Sequence, residues 1–188
     1  MCNLTPTKVG IEYIDKAAFQ RGITVEFREK KVKEILDAIT QPIGYRWSIN
    51  GGVLTVTHVG ALMGHLNLLN TRIPRFRIGE TSMHEASLSL RLHLYFVINP
   101  NSSGIAGDDP GGNFAFRAGP FDLRNATVRE ILSHIVSQHS NGAWVVQQPP
   151  WTMEKDLGYG FWKVLEYDRT DCEYSRELQV WGLGLQPR

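Results

Sequence analysis

The chain has 188 residues, 42% hydrophobic and 21% charged, a globular composition that excludes a disordered chain. Its formal net charge of +1 gives no electrostatic reason to expect nucleic acid or an anionic membrane as a partner. Cys2 and Cys172 are too few for a disulfide framework and wrongly spaced for a zinc site, and no run approaches the roughly 20 apolar residues of a membrane span.

In chain order, the opening "MCNLTPTKVG" lacks the apolar core of a signal peptide, which leaves a cytosolic protein or an exported one whose signal has been removed. Ile23, Val25 and Phe27 alternate as in a strand. Val32, Ile35, Leu36 and Ile39 then fall at i, i+3, i+4 and i+7, one apolar stripe of a helix whose Lys31, Lys33, Glu34 and Asp37 face water. "YRWSINGGVLTVTH" (45–58) predicts a hairpin, because Asn50, Gly51 and Gly52 accept the positive φ of a tight turn. The join at 59–74 is apolar (Leu62, Met63, Leu66, Leu68, Leu69), unlike a free linker, so the segments on either side are expected to pack together.

"SMHEASLSLRLHLYFVI" (82–98) carries two signals. Ser82 and Glu85 form an S-x-x-E capping box, which starts a helix, whereas Leu88, Leu90, Leu92 and Leu94 alternate with polar residues as in a strand. The expectation is a helix to about His93 and a strand over 94–98. A turn-rich insertion follows at 99–113. The first phrase then returns. Phe121 and Leu123 alternate, Thr127 and Glu130 form a T-x-x-E capping box, and Val128, Ile131, Leu132, Ile135 and Val136 make the stripe. "AWVV" (143–146) is expected to pair with "GFWKVLEY" (160–167) across a second insertion at 148–159. Both copies therefore read strand, helix, β-hairpin, and the predicted fold class is α+β: two related small modules, each a helix packed on a small mixed or antiparallel sheet. Trp47 and Trp144 occupy equivalent strand positions and are expected in the core.

The stretch 23–58 and the second phrase "VREILSHI" (128–135) resemble the short N-terminal (STN) domain of secretins and TonB-dependent transducers. That domain typically orders a helix, two strands, a helix with an "eALdaLL"-like phrase, and a closing hairpin. "VKEILDAI" (32–39) and "VREILSHI" occupy the phrase. The resemblance implies a truncated module over 1–62, lacking its first helix, and a second module over 63–188 with insertions at 99–113 and 148–159. It also implies a non-catalytic protein–protein interaction module of the bacterial envelope, periplasmic once any signal is removed. Such a module docks an envelope protein or its own copies by sheet-edge or face packing, without inserting into the membrane.

Chemical signatures are sparse. None of the six histidines forms H-E-x-x-H or a Cys/His cluster, and His134 and His139 are five apart, a poor spacing for one metal on a helical face. "GDDPGGN" (107–113) lacks the order of a calcium loop, and "WGLGL" (181–185) lacks the third glycine of a dinucleotide fingerprint. There is no G-x-S-x-G. No cofactor is expected, and an enzyme ranks third among the readings. Trp151 follows two prolines in a loop, so it reads either as an anchor tucked onto its own domain or as an exposed aromatic. Exposed aromatics bind proteins and stack on sugars. Trp151, Tyr159 and Trp162 are thus the candidate binding residues, and a glycan or peptidoglycan binder using them is the alternative function.

Overall fold

The computed structural model describes residues 8–12, 28, 30–59, 68–101, 117–139 and 142–146, and the backbone of 162–166. Among them lie strands β1 (Lys8–Glu12), β2 (Tyr45–Asn50), β3 (Val53–His58), β4 (Arg72–Ile78), β5 (Thr81–Ser82), β6 (Arg117–Ala118), β7 (Phe121–Thr127), β8 (Gly142–Val146) and β9 (Trp162–Glu166). The helices are α1 (Val32–Thr40), α2 (Met83–Ile98) and α3 (Val128–Ser137). The class is α+β, with one five-stranded mixed sheet in the order β2-β3-β1-β8-β9 and two antiparallel pairs, β4-β7 and β5-β6.

The large sheet is assembled from two hairpins and one intervening strand. β2-β3 turns at Gly51 and Gly52, both at positive φ, and β8 pairs antiparallel with β9. β1 lies between the hairpins, parallel to β3 on one side (Gly10 opposite Thr55) and to β8 on the other (Gly10 opposite Trp144). The boundary expected near residue 62 falls in 60–67, outside the described residues, and the sheet draws strands from both sides of it. The expected strand at 23–27 also lies outside them.

Side chains alternate across the sheet, so Lys8, Gly10, Glu12, Val53, Thr55, Thr57, Trp144 and Val146 share one face. This face packs on α2 and α3, and β4-β7 covers the other side of those helices. Val53, Trp144 and Val146 from the sheet, Ile73 and Phe76 from β4, Leu90 and Leu94 from α2, and Val128, Ile131, Leu132 and Ile135 from α3 form one fully buried cluster. Trp144 lies flat across β1. A Cβ at position 10 would come within 2.3 Å of its ring, so only glycine fits beneath the indole. α1 packs on the opposite face near the β2 edge, where the Trp47 indole N–H donates to Asp37 (2.8 Å). Trp47 is half-buried there, short of the core position expected for it, whereas Trp144 is fully buried.

α2 corrects the expectation for 94–98: the segment is helical through Ile98. Ser82 and Glu85 complete the capping box, and the helix runs on because Met83, Ala86, Leu90 and Leu94 form a buried stripe at helical spacing. The leucine alternation arose because the helix is apolar on two sides. Leu90 and Leu94 point inward, while Leu92, Phe96 and Val97 are 41–46% exposed.

Candidate interaction surfaces

The one strongly buried charge among the described residues is structural. The Glu12 side chain is 1% exposed and receives both forks of the Arg129 guanidinium, Nε to Oε1 and Nη2 to Oε2 (2.9 Å). Nη1 of the same arginine donates to Asn70 Oδ1 at 2.6 Å. At the other end of β1, Lys8 Nζ donates to the Ser137 carbonyl (2.5 Å). β1 therefore meets the first turn of α3 with a carboxylate, through Arg129, and its last turn with an ammonium, the arrangement a helix dipole favours. These charges hold β1 in the sheet.

Four of the described histidines also make definite contacts. His93 Nδ1 lies 2.8 Å from the Ser89 carbonyl and its ring meets the Phe76 edge at 5.2 Å. The His58 ring meets Tyr45 at 5.1 Å, and His139 contacts the Arg117 carbonyl. His134 packs on Phe121 at 4.7 Å, and burial pushes its pKa down from the ordinary value. A cleft of about 540 Å³ between the β2-β3 turn and α3 contains Arg129, Glu130, Ser133 and His134. Two of its polar groups serve the fold: Glu130 closes the α3 capping box, which holds its carboxyl below the usual range, and Ser133 accepts from Trp144. Among the described residues no three His, Cys, Asp or Glu gather as metal ligands.

Two surfaces stand uncovered by any other described residue. The first is the outer edge of β2, with which no described strand pairs. Val59 N–H donates to the Gly44 carbonyl (2.8 Å), which fixes the alternation of the β2-β3 ladder. Arg46, Ser48 and Asn50 turn their backbone groups toward β3, and Tyr45, Trp47 and Ile49 turn theirs outward. Ile49 is 63% exposed, and the strand has no proline and one charge, Arg46. Edge strands normally carry prolines, lysines or bulges that prevent pairing; β2 has none of these.

The second is a shallow groove of about 650 Å³ where Leu92, His93, Phe96 and Val97 of α2 meet Ile73, Pro74 and Arg75 of β4. Its strand pair is protected. Pro74 lacks an N–H, and Asn125 across from it has φ 50°. The inward positions consequently skip from Ile73 to Phe76 and from Leu123 to Ala126. Arg72, Arg75, Arg77, Asp122 and Arg124 all lie exposed on the outer face. Arg75 grips Asp122 with two hydrogen bonds (3.0 and 2.5 Å), which hold the Asp122 carboxyl below its usual range.

Of the candidate binding residues, Trp151 and Tyr159 lie outside the described residues, and Trp162 opens β9, paired with Val146. The β2 edge was missed as a named site, although its signal was legible: a strand of alternating aromatic and polar residues with one charge, beside a Gly-Gly turn. Compared with known proteins, the chain matches no family model, no curated protein and no solved structure.

Proposed function

We propose that the chain is a non-catalytic protein–protein interaction module of the bacterial envelope that docks by strand addition at the β2 edge. The observation that carries this reading is that no described strand pairs with the outer edge of β2, where Trp47 and Ile49 turn their backbone groups outward and Ile49 offers exposed apolar surface beside them. The element order from residue 83 onward supports the likeness to the STN domain, since helix α2, strand β7, helix α3 and hairpin β8-β9 follow one another. The likeness in turn supplies the envelope setting and the duplicated-module reading, in which α1 with β2-β3 is the first copy. A photo-reactive amino acid at Ile49 in the producing cells tests the proposal. Cross-links from Ile49 to an envelope protein or to the chain itself, absent when the probe sits at Arg124, are expected. Equal labelling from both positions would overturn edge docking.

A further inference from the structure

We infer that the groove between α2 and β4, together with the arginine face beside it, is the seat of the chain's own residues 168–185. The β4-β7 pair is electrostatically lopsided. Arg75 stands directly opposite Arg124 in the ladder, and like charges directly across a strand pair repel. Asp122, opposite Arg77, is the one acidic residue of the two strands, and Arg75, Arg77 and Arg124 all act on its carboxyl. Further carboxylates on this face relieve that repulsion. Arg75 also lines the groove, where Leu92, Phe96 and Val97 present apolar surface next to Ile73. An occupant that fits both parts therefore carries acidic side chains immediately beside apolar ones.

One stretch of the sequence has that chemistry. The described residues carry fourteen Lys or Arg against eight Asp or Glu, and the rest of the chain carries six against eleven. Within that rest, 167–188 holds the most carboxylates: Asp168, Asp171, Glu173 and Glu177. The apolar Leu178, Val180, Trp181, Leu183 and Leu185 follow directly. The stretch begins where β9 ends, and β9 lies against α2. Residues 167–178 span up to about 40 Å when extended, so reach is not limiting. The stretch 102–116 also departs from α2, but it holds only Asp108 and Asp109. It would bring them toward the helix C-terminus, where negative charge is unfavourable. In the proposed arrangement the carboxylates of 168–177 face Arg75 and Arg77, and the side chains from Leu178 onward cover Leu92, Phe96 and Val97. Exposed ion pairs each contribute little. The apolar contact therefore supplies the hold, and the charges supply the placement.

The test uses the purified full chain with a photo-reactive amino acid at Leu92, irradiated at low concentration and mapped by mass spectrometry. We expect links at one chain mass, from position 92 to residues within 171–185. Arg75→Glu with Arg77→Glu should cut this linking several-fold, and adding Asp171→Arg with Glu173→Arg should restore it. Restoration, with an unchanged far-UV circular dichroism spectrum, separates a lost contact from a damaged fold. Links to 102–116 instead, or no protein link at all, overturn the assignment. Links found only at two chain masses overturn it as well and give the groove to a second copy. Linking that ignores the charge reversal overturns the arginine face as part of the seat. Links at one chain mass are distinct from the intermolecular ones sought from Ile49, so this inference and edge docking stand or fall separately.

Discussion

α1 and α3 carry nearly the same phrase, "VKEILDAI" and "VREILSHI", and meet different fates. In α3 the stripe residues Val128, Ile131, Leu132 and Ile135 are all fully buried between two sheets. In α1 the matching Ile35, Leu36 and Ile39 are half-buried, and Val32 is 71% exposed. α3 begins with a complete capping box on Thr127, whereas α1 begins at Lys31 with no side-chain cap. The same stripe thus builds a core where two layers enclose it and a peripheral helix where one sheet face meets it. Periodicity chooses the helix, and tertiary surroundings decide its worth.

The comparison breaks most sharply at its second position, where Arg129 of α3 stands for Lys33 of α1. Arg129→Ala strands the buried Glu12 carboxylate and is expected to destabilise by about 3–5 kcal/mol. Hydrogen exchange should show protection lost first in β1 and the β2-β3 hairpin, which reaches the rest of the large sheet through β1. Lys33→Ala on the exposed side of α1 is expected to change stability by less than about 0.5 kcal/mol in chemical denaturation. Equal losses at the two sites would erase the distinction.

A gain should follow from giving α1 the start that α3 has. Glu34 already occupies the third helical position, so Lys31→Thr supplies the missing half of a capping box. The expected stabilisation is about 1 kcal/mol, read by urea titration. No gain would mean that packing, and not the cap, limits α1.

The smallest effect concerns His134, whose counterpart in α1 is Ala38. Burial against Phe121 lowers its folded pKa below the ordinary value of 6.5. A lowered folded pKa contributes stability that is complete above the unfolded value and is lost as pH falls through the folded one. The melting temperature should therefore fall from about pH 6.5 downward, and His134→Ala should flatten that slope though it lowers stability at every pH. An unchanged slope would assign the pH dependence to other groups.

Local signals were legible and long-range ones were not. Capping boxes at Ser82 and Thr127, the Gly51-Gly52 turn and the stripe of α3 could be read because each is written within a few residues. α2 misled at its second half because outward-facing Leu92 and Phe96 imitate strand alternation when the helix is apolar on two sides. Nothing in the "KVGIE" of β1 announces a parallel central strand. Its partners Thr55 and Trp144 are distant in sequence, and the Glu12–Arg129 pair spans the same gap. The expected site at Trp151 and Tyr159 falls outside the described residues. The β2 edge needed the ladder's alternation, a property of pairing geometry, before its outward groups could be named.

The central place of β1 also has a consequence for biosynthesis. β1 leaves the ribosome before either neighbour, and its second neighbour, β8, is complete only after residue 146. At roughly 5–20 residues per second, β1 waits on the order of ten seconds for that strand to exist. During this interval a β2-β3-β1 assembly has an open parallel flank, and Glu12 lacks the arginine that will neutralise it. The nascent chain is therefore most exposed to misassembly, and most in need of a chaperone, along the strand that later becomes the middle of the sheet.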